Sequence, residues 1–108
     1  MIPAETPEIG VDQLAEAVRY GAAIVDVREP GEYLAGHVPG AVLIPMGSIP
    51  SNLQKLDTDE PVICYCHHGM RSLDVVNWLR QQGIGSAKSL AGGIDRWSME
   101  IDPRVPRY

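Results

Sequence analysis

Pro61-Val62-Ile63-Cys64-Tyr65-Cys66-His67-His68-Gly69-Met70-Arg71-Ser72 is the stretch that decides the fold. Its first half is a short apolar run with β-branched residues behind a proline, the pattern of a buried strand. Beyond it, Leu73, Val75, Val76, Trp78 and Leu79 mark a helix, and Gly83 supplies its C-terminal cap. Cys66 to Arg71 is therefore strand end, tight loop and helix start. A loop that curls directly into a helix turns successive backbone N–H groups toward one point, and the helix adds the positive end of its dipole. A cysteine at the first position of that loop has its sulfur in this field, which favours the thiolate. Gly69 admits a backbone conformation closed to other residues. Arg71 can bind an incoming oxyanion or tie the loop closed through carbonyl contacts. These are the ingredients of a sulfur nucleophile that holds an anionic group; the competing reading is a plain βα turn.

The same alternation continues outward. Val11, Leu14, Ala15 and Val18 recur at helical spacing, with Gly21 as a stop. Ala23-Ile24-Val25-Asp26-Val27 predicts a buried strand, Pro30 the first turn of a brief helix ended at Gly36, and Ala41-Val42-Leu43-Ile44 a second strand. A weak helical turn is expected around Ile49 to Leu53, with Pro50 against it, and a polar turn at Asp57-Thr58-Asp59-Glu60. Ala87-Lys88-Ser89-Leu90 is a further strand, and Ala91-Gly92-Gly93 turns the chain into a short helix through Trp97. The Pro-rich first six and last six residues read as extended ends. Short strands alternating with helices predict an α/β fold with a mostly parallel sheet of about five strands, covered by helices on both faces. In such sheets ligands bind beyond the carboxyl ends of the strands, where Cys66 to Arg71 lies.

Composition narrows the function. With 108 residues, 44% hydrophobic and 21% charged, the chain reads as one globular domain spanning residues 1–108. Nine Lys and Arg against fourteen Asp and Glu give a net charge of -5. This argues against nucleic-acid binding and against a basic surface on anionic lipid. No apolar run approaches a membrane span, and the N-terminus carries no cationic region ahead of a greasy one, so a cytoplasmic location is expected. Cys64 and Cys66 are one residue apart; a bridge there would close almost nothing, so both thiols are expected free.

In order and spacing, a set of short motifs resembles the rhodanese-like sulfurtransferases over nearly the whole chain. They are Ile24-Val25-Asp26-Val27-Arg28-Glu29, Glu32-Tyr33, Gly36-His37-Val38-Pro39-Gly40-Ala41, Ile44-Pro45, the Cys66–Ser72 loop and Leu90-Ala91-Gly92-Gly93-Ile94-Asp95-Arg96-Trp97. Leu43 departs from the pattern, since many relatives have Asn there. The resemblance implies a cysteine, here Cys66, that takes a sulfane sulfur from thiosulfate or a persulfide donor. It then passes the sulfur to cyanide, a thiol or a sulfur-carrier protein. The amides of His67, His68, Gly69, Met70 and Arg71 would stabilise thiolate and persulfide. His67 and His68 can donate to the donor, although a histidine of ordinary pKa is mostly neutral near pH 7. The resemblance makes Asp26, Arg28 and His37 frame-holding residues with buried polar pairing. No metal or organic cofactor is expected, because the sulfur is carried covalently.

Three other readings use the same residues. Cysteine-dependent phosphatases and arsenate reductases also combine Cys, amide nest and Arg, but their loop has one residue more between Cys and Arg than this one. Cys64, Cys66, His67 and His68 cluster like metal ligands, yet no second ligand pair follows, the remaining histidine being His37. Third is a non-catalytic binding module. The tail from Trp97 to Tyr108 looks like that of rhodanese domains fused to E1-like adenylyltransferases, which hand sulfur to a ubiquitin-like carrier. A sulfur-carrier protein is therefore a candidate partner; a cysteine desulfurase is another, as a persulfide source, because only Arg71, His67 and His68 offer positive charge near the sulfur. In the competing reading, Val105 and Tyr108 simply pack the tail onto the sheet.

Overall fold

The computed structural model describes residues 6–56 and 59–106. The predicted readings at Met1 to Glu5, at Asp57 and Thr58, and at Arg107 and Tyr108 lie outside them. Five parallel strands, β1 (Glu8–Ile9), β2 (Ala23–Asp26), β3 (Val42–Leu43), β4 (Val62–Tyr65) and β5 (Ala87–Leu90), form one sheet in the order β1-β5-β4-β2-β3. The helices are α1 (Val11–Arg19), α2 (Pro30–Ala35), α3 (Leu53–Leu56), α4 (Met70–Gln81) and α5 (Gly93–Glu100). No helix among the described residues is long and apolar enough to cross a membrane.

Side chains alternate across β4 and sort the core into two layers. Val62, Cys64 and Cys66 pack with Val75, Val76 and Leu79 of α4 and with Leu56 of α3. Ile63 and Tyr65 pack on the other side with Val11 and Leu14 of α1 and Ile94 and Trp97 of α5. Both faces of the sheet are thus covered, which is why the central strand β4 is apolar at every position. Each fully buried aliphatic side chain, Ile63 or Leu79 for example, contributes about 1.5–3 kcal/mol.

Two elements differ from the sequence reading. Ahead of α1, Glu8 and Ile9, to which the sequence reading gave no element, pair with Ser89 and Leu90 as a two-residue edge strand. The weak turn near Ile49 is two 3-10 turns, Met46–Ser48 and Pro50–Asn52, running into α3. Pro50 sits at the first position of the second turn, where its missing N–H leaves no intrahelical bond unmade.

The topology places the site. From β2 the chain proceeds to the edge strand β3, whereas from β4 it proceeds to β5 on the opposite side. The crevice beyond the carboxyl ends of β2 and β4 is therefore a switch point, and α2 and α4 begin on either side of it.

Candidate active site

Cys66 directly follows β4 and is 1% exposed, at the floor of the loop that enters α4. Its Sγ accepts the backbone N–H of Gly69 at 3.1 Å and, more weakly, that of Ser72 at 3.4 Å. Gly69 makes the curl possible, with φ at 103° in the left-handed region. The sulfur thus lies inside a partial ring of main-chain donors at the start of a twelve-residue helix. The predicted ring, His67 to Arg71, differs from this one: Gly69 belongs to both, and Ser72, in the first turn of α4, adds a donor from beyond it. The Ser72 hydroxyl lies 2.7 Å from that of Ser89 and donates to Gly69 O at 3.2 Å, which props the loop from below.

A second clamp comes from α5. Ile94 N–H donates to Cys66 O at 2.9 Å and Asp95 N–H to His67 O at 3.0 Å. This close approach needs Gly93: a Cβ there would lie 2.3 Å from His67 O and 2.4 Å from Cys66 O. The backbone at the nucleophile is therefore fixed by two helix starts together.

Arg71 reaches a carboxylate that the sequence reading did not name as its partner. Its Nη1 and Nη2 donate to the two carboxylate oxygens of Glu32, at 2.8 and 2.9 Å, a bidentate pair across the crevice. The guanidinium charge is matched by a carboxylate, and the loop is tied to α2. Met70 opens α4 with its side chain exposed, and His68 is also largely exposed. The rings of His67 and His68 lie 3.9 Å apart, and both face Asp95 of α5. Burial, and then the neighbouring charge of His68, lower the pKa of His67.

The other predicted site residues form a separate group. Asp26 and Arg28 are fully buried and pair at 2.7 Å; Arg28 also donates to Gly36 O at 2.7 Å. Tyr65 donates to Asp26 Oδ2 at 2.8 Å while its own oxygen accepts Val38 N–H at 3.1 Å. Together they bind the carboxyl ends of β2 and β4 to the segment that leads into β3. His37 is only partly buried at the end of α2, with Nδ1 3.0 Å from Tyr33 O and its ring stacked on that of Tyr33. Cys64 lies wholly within the core, and burial, then the charge of Cys66, push its thiol up to about 12. It stays protonated and inert. At the tail, Val105 packs against the α1/α5 layer and its carbonyl accepts the Ser98 hydroxyl. Glu32, Ser72 and Asp95 are the residues whose part in the site sequence reasoning missed. For Glu32 a signal existed, since it stands three residues after Glu29 at a helix start and caps that residue's N–H at 3.0 Å.

An open parallel sheet with a cysteine cupped by amides at its switch point defines a class of α/β domains built around a loop-held sulfur nucleophile. Comparison with known proteins narrows the class. The family model for the rhodanese-like domain matches residues 10–100. The chain is 33% identical over 84 residues to the thiosulfate sulfurtransferase GlpE of Pseudoalteromonas translucida, covering 78% of this chain and 80% of that one. It is 35% identical over 91 residues to the rhodanese-like/PpiC domain-containing protein 12 of Arabidopsis thaliana, described as chloroplastic. That match covers 81% of this chain but only 30% of the plant protein. Among solved structures, a protein of Staphylococcus saprophyticus superposes with a TM-score of 0.78 at 38% identity, covering 89% of this chain and 97% of the other. The chain belongs to the rhodanese-like domain family.

Proposed function

We propose that this domain is a sulfurtransferase that carries a sulfane sulfur on Cys66. The observation that carries the reading is the Cys66 sulfur facing the N–H groups of Gly69 and Ser72. Oriented donors of this kind stabilise a thiolate, and equally the terminal sulfur of a persulfide. The thiolate attacks the outer sulfur of thiosulfate; a Cys66–sulfur bond forms, the sulfur–sulfur bond of the donor breaks, and sulfite leaves with the electron pair. In the second step a nucleophile attacks the terminal sulfur of the Cys66 persulfide. Cyanide becomes thiocyanate, or a thiolate becomes a persulfide, and the Cys66 thiolate is restored. Neither step needs a general base or a redox partner.

The charges around the sulfur favour a persulfide over thiosulfate as the working donor. Arg71 is balanced by Glu32, and Asp95 stands beside both histidines, so little net positive charge faces a dianion. A cysteine desulfurase is a source of such persulfides, and a sulfur-carrier protein is a fitting acceptor. The test is release of thiocyanate from cyanide with thiosulfate or a small persulfide as donor. Turnover that is faster with the persulfide and absent in Cys66→Ser supports the reading. Hydrolysis of an aryl phosphate without any sulfur transfer overturns it in favour of a phosphatase; neither activity leaves a binding module.

A further inference from the structure

We propose that His67, His68 and Asp95 form a binding site for one divalent cation of the zinc class, and that an ion held there blocks sulfur transfer at Cys66. The three side chains come from two elements, the loop after β4 and the first turn of α5, locked together by the backbone bond from Asp95 N–H to His67 O at 3.0 Å. The two Nε2 atoms address different oxygens of the same carboxylate: His67 lies 3.9 Å from Oδ1 and His68 3.8 Å from Oδ2. These separations are too long for hydrogen bonds. One potential ligand atom from each residue falls within 4.8 Å of the others. A zinc ion about 2.0–2.2 Å from nitrogen and oxygen ligands in a tetrahedron sets those ligands roughly 3.3–3.5 Å apart. The two His–Asp separations therefore need to close by about half an ångström and the longest separation in the group by up to about 1.4 Å, a movement that rotation of the exposed His68 side chain supplies.

The donor set selects the ion. Two imidazoles and one carboxylate suit zinc and its neighbours, whereas calcium and magnesium take oxygen ligands. Cysteine and histidine spacing along the chain does not reveal the site, because its third ligand is an aspartate from α5, far along the chain. Three protein ligands leave a fourth position open to water or an incoming donor. Among the described residues the Cys66 sulfur is not part of the group. His67 and His68 directly follow Cys66 in the chain, so the cation would sit on the backbone that frames the nucleophile and fix the two rings of its loop.

The binding arm of the test does not depend on sulfur transfer, so it can fail separately from the proposed activity. Tag-free, chelator-treated chain carrying Cys66→Ser is titrated with zinc against a chromophoric competitor at neutral pH, so that no Cys66 thiolate contributes. One equivalent is expected, weakened at least about tenfold by Asp95→Asn and by His68→Ala. His68 is largely exposed, so its replacement leaves the fold intact even if Asp95→Asn does not. Cobalt should give a spectrum free of sulfur-to-metal charge transfer in the wild-type chain. Absence of binding, binding indifferent to both substitutions, or binding lost with Cys66→Ser overturns the site. In the second arm, thiocyanate release by the wild-type chain is compared in zinc and in EDTA. Slower release in zinc, with that ratio returning toward one in His68→Ala, is expected; bound zinc that leaves the two rates equal overturns the blockade.

Discussion

The guanidinium of Arg71 and the carboxylate of Glu32 meet in a bidentate pair, 2.8 and 2.9 Å apart, although 39 positions separate them in sequence. Glu32 Oε1 also accepts Glu29 N–H at 3.0 Å, so one carboxylate caps α2 and holds the start of α4. The pair bridges the crevice between the two strands whose ends frame Cys66. Arg71 therefore acts on the loop as a strut, with its charge already matched.

If Arg71 is a strut, removing either partner should do the same thing. Glu32→Gln and Arg71→Met are expected to lower thiocyanate turnover alike, and the double variant to be no worse than the more affected single one. The coupling energy from urea unfolding should be about 1 kcal/mol and shrink in concentrated salt, because both side chains are partly exposed. Faster thiosulfate turnover in Glu32→Gln would instead assign Arg71 to direct oxyanion binding.

Gly93→Ala is expected to damage fold and site together. Its Cβ would collide with two backbone oxygens, and its φ of 61° is costly for any residue with a side chain. Unfolding should be about 2–4 kcal/mol easier and sulfur transfer lost. Gly47→Ala, where the new methyl would meet nothing within 4 Å, serves as the control and should change stability by less than about 0.5 kcal/mol.

Tyr65→Phe should separate stability from chemistry. It removes one hydrogen bond to Asp26 and leaves the Val38 N–H without its acceptor, a loss of about 1–3 kcal/mol. Asp26→Ala is expected to cost more, about 3–5 kcal/mol, because it strands the buried Arg28 charge. In Tyr65→Phe, kcat with saturating donor should stay close to the wild-type value below the unfolding transition.

Three groups shape stability against pH, the buried Cys64 and Tyr65 on the alkaline side and the partly buried His67 on the acid side. The Cys64 thiol titrates near 12 when folded, against an ordinary value of 9.0. Between these values the folded chain keeps a proton that the unfolded chain has lost, so stability falls as pH rises, by about 1.4 kcal/mol per unit at most. Tyr65, also raised by burial, adds to the loss above its ordinary 10.0. Cys64→Ala should flatten this alkaline slope without abolishing it. On the acid side, His67 resists protonation in the fold, so stability should fall as pH drops below the ordinary 6.5 and level off once the folded group titrates. His67→Gln should remove that component. Urea midpoints across the pH range check both slopes.

What sequence could reveal depended on how local each signal was. The strand at Val62 to Tyr65, the curl at Gly69 and the helix from Met70 each declare themselves within a few residues, and the predicted strands at residues 23–27 and 41–44 need only their own apolar runs. Glu8 and Ile9 carry no such pattern, since a two-residue strand is made by its neighbour Ser89-Leu90 and not by periodicity. The missed partners are contacts across the fold: Glu32 reaches Arg71, and Asp95 reaches His67 and His68, only after the sheet has set α2 and α5 beside the loop. Ser72 stood in view within the loop motif, but its N–H turns to the sulfur only through the geometry of the first helical turn.

The central claim is that the Cys66 sulfur, held by Gly69 and Ser72, carries a second sulfur atom as a covalent intermediate. Intact mass spectrometry of the chain after incubation with a sulfane donor tests it most directly. The account predicts a gain of one sulfur atom that localises to the Cys66 peptide, disappears on addition of cyanide and never forms in Cys66→Ser. No gain with either thiosulfate or a persulfide, or a gain that survives in Cys66→Ser, would contradict it.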